Sequence, residues 1–257
     1  MTETANLERW ISTRSQQVLL WWGIGFTAVY VVSLGFLIGV VPPPSPSWSA
    51  ARVAEYYSDH QGRILVGAVL TSFTGAFMIP IAVVTALQSA RREPGRPVWS
   101  IFMFTGGTFT SIFLVLPTLF FGVAAYRPDR SPEITVLMHD LAYLALFTTV
   151  QFYIFFGVPI AVSCLRGEDA ADSPFPRLYG WFTIWCTFMF EIGGVAFLAK
   201  HGPFAWSGLF IFWIPFFFFF LWLTMLCVLL HRALAVQERA AAPRIEEPLV
   251  VPVGAAR

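Results

Sequence analysis

Charged residues are scarce in this sequence. They make up 12% of the 257 residues, whereas a soluble globular domain carries roughly a quarter. The charges that do occur are collected in short connectors, and long stretches between the connectors lack them. Apolar residues account for 57% of the chain. This composition argues against a soluble domain and predicts an integral membrane protein.

Cysteine, histidine and the common catalytic motifs are also sparse. The three cysteines, Cys164, Cys186 and Cys227, form no disulfide framework and no paired-cysteine metal site. The four histidines form no HxxxH, HxH or ExxH pair, which gives no support to a metal site. A haem with two histidine ligands is not expected either, because His139 is the only plausible ligand at helix depth and His231 lies at the opposite, inner end. No nucleophile motif, Walker loop or dinucleotide-binding glycine pattern occurs. We therefore expect no cofactor, and a protein without catalytic activity is favoured over an enzyme.

Six stretches are long and apolar enough to cross a bilayer, which takes about 20 residues in a helix. They cover residues 18–41, 64–87, 98–125, 135–165, 178–199 and 208–230. Their apolar residues run continuously, whereas barrel strands would alternate apolar with polar residues. The first stretch is longer than the apolar core of a signal peptide. The predicted fold is all-α, a polytopic bundle of six transmembrane helices. This membrane domain, 18–232, lies between an N-terminal segment, 1–17, and a partly disordered tail, 233–257.

Arginine and lysine determine the predicted orientation, because cytoplasmic connectors carry an excess of both. Most of the 16 such residues fall on the side of the two chain termini: Arg9, Arg14, Arg91, Arg92, Arg96, Arg166, Arg177, Arg232, Arg239, Arg244 and Arg257. The others fall on the opposite side: Arg52, Arg63, Arg127, Arg130 and Lys200. We therefore expect cytoplasmic termini, in the cell (inner) membrane, with the lipid bilayer as partner. The net charge of +1 provides no broad field that would attract nucleic acid.

The connectors on the outer side carry helix signals. Ser47 or Ser49 is placed to cap a short amphipathic helix that runs to about Asp59 and lies on the outer membrane face. Ser131 and Pro132 combine an N-cap with a proline at the first helical position, so we expect the fourth helix to begin near Pro132.

Four prolines fall inside the predicted spans: Pro80, Pro117, Pro159 and Pro215. Each frees a backbone carbonyl and is expected to kink its helix. The run from Phe216 to Phe220 is interpreted as lipid-facing surface and core filler.

Glu191 is the clearest functional candidate within a span, because an ionisable group in lipid is costly. It lies in the outer half of the fifth helix, and Thr183, Thr187 and Gly194 share its face. Two interpretations are open. Glu191 is either a proton-coupling or cation-contacting carboxylate, or a protonated glutamate that hydrogen-bonds to a neighbouring helix.

A second set of polar residues begins at the outer start of the fourth helix. His139 and Asp140 occur there, and Gln151 follows Asp140 about three turns later, so the two share a helix face. This face is a candidate polar path into the membrane.

Four further polar residues lie in the outer connectors: Asp59, His60, Lys200 and His201. Together with His139, Asp140 and Glu191 they collect histidines and carboxylates on one side of the membrane. Such side chains suit several divalent ions. The ligands would have to converge from three connectors, so no residue is assigned as a metal ligand.

At residues 126–135 (YRPDRSPEIT) and 200–208 (KHGPFAWSG), this chain resembles a family of bacterial polytopic membrane proteins of about six spans. The outer connector 53–58 (VAEYYS) extends the resemblance over most of the chain. That family is uncharacterised, so the resemblance implies no activity, cofactor or catalytic residue. It implies that the outer connectors are a family trait, which favours a role for the outer face over one for the tail.

Three functions are compatible with the sequence. The first is a non-catalytic membrane component, either an accessory subunit of other membrane proteins or a binder of a small hydrophobic molecule. The second is a small permease or proton-coupled carrier that uses Glu191 and the face of Asp140 and Gln151. The third is a membrane metalloenzyme built at the outer histidines. They rank in this order because each function requires more chemistry from the few polar residues than the one before it.

Overall fold

A computed structural model of the protein describes residues 12–166 and 173–241. In this part of the chain every regular element is a helix, and six helices are long and apolar enough to cross a membrane. They are Thr13–Ile38, Gln61–Ala90, Val98–Tyr126, Pro132–Arg166, Arg177–Leu198 and Leu209–Ala240, called spans 1 to 6 below. The predicted all-α bundle of six helices is confirmed, and these helices indicate a multi-pass membrane protein.

The predicted N-terminal segment and tail fall largely outside the described residues. The last α-helix continues to Ala241, so the first part of the predicted tail, 233–241, is helical. The fourth span begins at Pro132, where the sequence placed it.

Five of the six spans consist of more than one helical segment, and four of these combine an α-helix with a 3₁₀- or π-helix. Span 1 is α1 (Thr13–Val32) and a π-helix (Ser33–Ile38), and the connector after it holds α2 (Ala50–Asp59). Span 2 is α3 (Gln61–Thr74) and α4 (Met78–Ala90), whereas span 3 is the continuous α5 (Val98–Tyr126). Span 4 is α6 (Pro132–Thr148), a 3₁₀-helix (Thr149–Tyr153) and α7 (Ile154–Arg166). Span 5 is α8 (Arg177–Glu191) and a 3₁₀-helix (Ile192–Leu198), and span 6 is a π-helix (Leu209–Trp213) and α9 (Ile214–Ala241).

Two of the four span prolines stand where a new helical segment begins. Pro80 lies in the first turn of α4, and Pro215 is the second residue of α9. A proline in the first turn loses no helical hydrogen bond, because that N–H has no partner there. Pro117 and Pro159 lie inside α5 and α7, which continue through them. The sequence predicted a kink at each proline. At Pro80 and Pro215 the structure instead ends one helical segment and begins a new one, which starts two residues before Pro80 and one residue before Pro215.

The six spans pack in a closed ring. Each span contacts the next one in the sequence, and span 6 contacts span 1. Two glycines allow backbones to meet within this ring. A Cβ on Gly106 of span 3 would overlap the carbonyl of Phe155, and one on Gly193 of span 5 would overlap the carbonyl of Phe147. Span 4, which holds both carbonyls, is therefore in close backbone contact with both of its neighbours.

Glutamines join the first and last spans to span 2 at one end of the ring. Gln88 Nε2 donates to Gln16 Oε1 (2.8 Å) and to Gln237 Oε1 (3.1 Å). Beside them, Gln17 Nε2 donates to Glu238 Oε2 (2.9 Å). These hydrogen bonds connect α1, α4 and α9, and they close the ring with polar contacts as well as apolar ones.

The connector helix α2 begins as predicted but is packed differently. Ser49 caps it and accepts a hydrogen bond from the Arg52 backbone N–H (3.3 Å). Val53 and Tyr57 are 1% and 2% exposed, and α2 contacts α6 of span 4. The expected helix on the membrane face is therefore also a cover for span 4, because its apolar side is buried in protein.

Candidate functional site

A partly open cavity of about 100 Å³ lies between five of the six spans. Spans 1, 3, 4, 5 and 6 contribute to its walls, which are apolar and largely aromatic. The lining consists of Tyr30, Leu34, Val40, Phe113, Leu114, Leu146, Phe147, Val150, Tyr153, Phe190, Phe212, Pro215, Phe216, Phe219 and Phe220. Among the described residues, no Asp, Glu, Lys, Arg or His belongs to this lining.

The irregular helical segments supply side chains to this cavity. Leu34 comes from the π-helix of span 1, and Phe212 comes from the π-helix of span 6. Val150 and Tyr153 lie in the 3₁₀-helix of span 4. Changing the number of residues per turn re-aims the side chains that follow, and such segments are frequent at functional sites. Three of the four departures from α-helix therefore contribute to the cavity walls, and the 3₁₀-helix of span 5 does not.

Aromatic contacts hold the walls in place. The rings of Phe113 and Phe190 each lie 6.0 Å from the ring of Phe219, at angles of 81° and 59°. Phe212 stacks on Phe216 at 5.3 Å. Edge-to-face and offset pairs of this kind are favourable beyond the area they bury. The cavity is thus bounded by side chains that support one another across spans 3, 5 and 6.

The tyrosine hydroxyl groups at the cavity are buried. Tyr30 Oη donates to the backbone carbonyl of Leu114 (2.7 Å), which joins span 1 to span 3. The Tyr153 hydroxyl is buried without a hydrogen-bond partner among the described residues. Carbon atoms therefore form nearly all of the surface that a bound molecule would meet.

A hydrogen-bonded tryptophan supports Tyr153 from behind. Trp222 is fully buried, and its ring centre lies 5.0 Å from that of Tyr153. Its Nε1 donates to Thr183 Oγ1 (3.0 Å), and its carbonyl accepts from Tyr179 Oη (3.2 Å). These bonds join spans 5 and 6 and hold one wall of the cavity.

Glu191 is the last residue of α8 and is half-buried. Its Oε1 is buried and has no hydrogen-bond partner among the described residues. The threonines of the predicted polar stripe have partners. Thr183 and Thr187 each donate to the carbonyl four residues earlier (2.8 Å), and Thr183 Oγ1 also accepts from Trp222 Nε1 (3.0 Å). Gly194 is exposed. Glu191 is therefore the remaining polar group of that stripe with an unused oxygen.

His139 lies in an aromatic pocket away from the cavity. It is 1% exposed, its Nδ1 is 3.1 Å from Tyr57 Oη, and its Nε2 has no partner among the described residues. The rings of Tyr143 and Trp206 lie 4.8 and 5.9 Å from it. Burial raises the pKa of the Tyr57 phenol. This phenol stays protonated at neutral pH and is able to donate to His139.

Asp140 and Gln151 differ in their surroundings. Asp140 is half-buried, whereas Gln151 is exposed. The expectation of a shared face assumed an α-helix throughout, at about 100° per residue. The 3₁₀-helix Thr149–Tyr153 turns by about 120° per residue instead, so the rotation between the two positions differs from the one assumed.

The outer-connector candidates lie at or near the surface of the bundle. Asp59, Lys200 and His201 are exposed, and His60 is half-buried with its Nδ1 2.9 Å from the Tyr56 carbonyl oxygen. Among the described residues, no group of three or more His, Cys, Asp or Glu side chains is arranged to hold a metal ion. The structure therefore does not bring the predicted outer residues together in one coordination site.

The cavity residues were missed as a site from the sequence. Three residues of the run Phe216–Phe220 line the cavity (Phe216, Phe219 and Phe220), whereas Phe217 is 61% exposed. The interpretation as lipid-facing surface and core filler thus covers only part of this run. The available signal was the abundance of phenylalanine, 27 residues in all, which does not distinguish packing from a binding site.

The chain matches no protein-family model, no curated protein and no solved structure. The resemblance to bacterial polytopic membrane proteins stays a prediction, and the geometry of the described residues is the basis on which a function is inferred.

Proposed function

We propose that this multi-pass membrane protein is a non-catalytic binder of a small hydrophobic molecule, held inside its ring of helices. The observation that carries the proposal is the apolar cavity of about 100 Å³ between five spans. An engineered apolar cavity of about 150 Å³ stays dry and binds benzene or xenon. A ligand of a few carbon atoms, or the end of a longer hydrocarbon chain, matches the volume of this cavity.

The character of the lining supports binding rather than catalysis. Catalytic sites place titratable or nucleophilic groups against the reacting atoms, and the lining offers two tyrosines whose hydroxyl groups are buried. A hydrocarbon in this cavity gains dispersion contacts with the surrounding rings, and it brings no polar group of its own that would need a hydrogen-bond partner. The proposed ligand is therefore apolar throughout the part that enters the cavity.

The test compares ligand-induced stabilisation in three forms of the protein. The Leu146→Trp variant fills the cavity, because Leu146 is buried in its wall. The Leu119→Trp variant makes the same chemical change on span 3 at a residue that is 47% exposed and outside the lining. Thermal unfolding in detergent is measured with and without benzene. A ligand at ten times its dissociation constant stabilises the folded state by about 1.4 kcal/mol.

We expect benzene to raise the unfolding midpoint of the wild type and of Leu119→Trp, but not that of Leu146→Trp. Any effect of benzene on the micelle is shared by all three forms, so the difference between variants isolates the cavity. An equal rise in all three would contradict the proposal. Mass spectrometry of an organic extract of the purified protein then identifies the hydrophobic molecule that accompanies it from the cell.

We further propose that the protein lies in the cell (inner) membrane, with the connector at Arg92 facing the cytoplasm. The excess of arginine on that side supports this orientation. Single cysteines at Arg92 and His201, both exposed, are treated with a membrane-impermeant thiol reagent in intact cells. We expect labelling at position 201 alone, and labelling at position 92 only after permeabilisation. Equal labelling of both in intact cells would refute the layout.

A second candidate function is a proton-coupled carrier, and it rests on the unpaired Oε1 of Glu191. A carrier of this kind requires that Glu191 exchange protons during its cycle. Infrared difference spectra recorded between two pH values would then contain a carboxyl band that the Glu191→Gln variant lacks. If the two spectra are identical, Glu191 does not titrate and this candidate is rejected.

A further inference from the structure

A second cavity, a cleft of about 360 Å³, opens where the connector between spans 2 and 3 meets the end of span 4. Three arginines line it: Arg92, Arg96 and Arg166. All three side chains are exposed. The sequence placed these arginines on one side of the membrane, and the structure brings them around one cleft.

The arginines are positioned by contacts within the cleft. Arg92 Nη1 donates to Ser173 Oγ (3.0 Å), and the Arg166 guanidinium lies 5.3 Å from the centre of the Trp99 ring. A bond between the hydroxyl groups of Ser89 and Ser163 (3.0 Å) joins spans 2 and 4 beside them. Contacts from the end of span 2 and from the end of span 4 therefore fix the shape of the cleft.

The one carboxylate among the described lining residues is already occupied. Glu93 accepts hydrogen bonds from the backbone N–H groups of Trp99 (2.9 Å) and Ser100 (3.1 Å), and from Ser100 Oγ (2.8 Å). It thereby caps the start of α5, where the helix dipole favours a negative charge. Both oxygens of Glu93 are engaged by these bonds, so Glu93 is not paired with any of the three lining arginines. Those arginines are therefore able to attract an anion that is not part of the protein.

Crowding of like charge adds to this effect. Partial desolvation of the guanidinium and, second, the neighbouring Arg91 lower the pKa of Arg92. A bound anion would relieve this repulsion. Glu168, Asp169 and Asp172 follow Arg166 in the sequence but lie outside the described residues. The excess of positive charge therefore applies to the described lining residues.

Apolar residues line the cleft next to the arginines. Val98, Trp99 and Val162 belong to its wall, at the ends of spans 3 and 4. Helix ends of this kind lie at the level of the lipid headgroups, where tryptophan is enriched. The cleft therefore combines guanidinium groups with an apolar wall at headgroup depth.

We propose that this cleft binds a phosphate ester, the headgroup of an anionic phospholipid, with the three guanidinium groups around the phosphate and the first acyl carbons against the apolar wall. Guanidinium groups recognise phosphate oxygens through paired hydrogen bonds. Basic pockets between spans are an established type of lipid-headgroup site. A soluble phosphate ester would use the same chemistry, and the experiment separates the two sources.

The experiment measures lipid binding to the purified full-length protein by native mass spectrometry. The probes are phosphatidylglycerol and phosphatidylcholine with matched acyl chains, and glycerol 3-phosphate is the soluble competitor. The test variant carries Arg92→Gln, Arg96→Gln and Arg166→Gln. A matched control carries Arg14→Gln, Arg232→Gln and Arg239→Gln, which remove the same charge from positions outside the cleft.

We expect phosphatidylglycerol to bind more tightly than phosphatidylcholine. Each arginine near an anionic headgroup contributes about fivefold in affinity, so the test variant should lose about 100-fold, and the control should lose far less. Replacing the three arginines with lysine keeps the charge and should restore part of the affinity. Displacement of the lipid by glycerol 3-phosphate would identify a soluble ester as the ligand, whereas lipid binding without displacement would identify the headgroup. Equal phosphatidylglycerol affinity in the wild type and the test variant, with both forms folded by tryptophan fluorescence, would overturn the proposal.

Discussion

Replacing Gly106 with alanine should force spans 3 and 4 apart. A Cβ at this position would lie 2.6 Å from the Phe156 nitrogen and would overlap the Phe155 carbonyl. Ordinary contacts begin near 3.4 Å, so the two backbones must separate by about 0.8 Å to relieve the Phe156 contact alone. The three nearest atoms are all backbone atoms of span 4, so no side-chain rotation relieves the overlap. Overpacking of this kind costs about 1–3 kcal/mol.

Gly25 provides the matched control. It also lies within a span, in α1, but a Cβ there meets no atom within 4 Å. Replacing a helical glycine with alanine in open space favours the helix by about 0.5–1 kcal/mol. The two Gly→Ala changes are chemically identical, yet we expect opposite effects on stability.

The assay is reversible unfolding of the purified protein in mixed micelles with a rising fraction of denaturing detergent, followed by tryptophan fluorescence. Gly106→Ala should lower the free energy of unfolding by about 1–3 kcal/mol, and Gly25→Ala should leave it unchanged or slightly raised. If Gly106→Ala is as stable as Gly25→Ala, then spans 3 and 4 do not meet in the way described, and the closed ring is wrong at this contact.

Two further experiments test the polar contacts between spans. Gln88→Leu removes hydrogen bonds of 2.8 and 3.1 Å to the glutamines of spans 1 and 6. It should cost about 1–3 kcal/mol, because it leaves the buried amide oxygen of Gln16 without a donor. Gln17→Leu, whose bond is exposed, is the control and should cost less in the same assay. Trp222→Phe and Thr183→Val each remove the 3.0 Å bond between spans 5 and 6, and a double-mutant cycle should give a coupling of about 0.6 kcal/mol. A coupling of zero would show that this bond does not stabilise the fold.

The spans and helix starts followed from local chemistry. A continuous apolar stretch of bilayer length is recognisable without knowledge of the rest of the chain. Ser49 likewise marks a helix start, since its side chain accepts from the Arg52 N–H, whereas Ser131 makes no side-chain cap and the start there follows from Pro132 at the first helical position. Both features were therefore accessible to sequence reasoning, and the structure places helices after both serines.

The interior of the ring was not accessible in this way. The 3₁₀-helix Thr149–Tyr153 contains no glycine or proline that would announce it, and its effect on Gln151 follows from packing between spans. A cavity is a space that several spans leave between them, so no single stretch of sequence carries its signal. Sequence reasoning assigned Arg92 and Arg166 to one side of the membrane, but their meeting in one cleft depends on how spans 2 to 4 are arranged around one another.

The hydrogen bonds of Gln88 have a consequence for how the protein is made. One of its partners, Gln16, precedes it in the chain, but the other, Gln237, is synthesised 149 residues later. Before span 6 enters the membrane, the ring of helices is open between spans 1 and 5. At that stage the Gln88 amide lacks its bond to Gln237, and the side of span 1 that packs against span 6 is uncovered. Biogenesis therefore has a late closing step, and the cavity walls contributed by span 6 exist only after it.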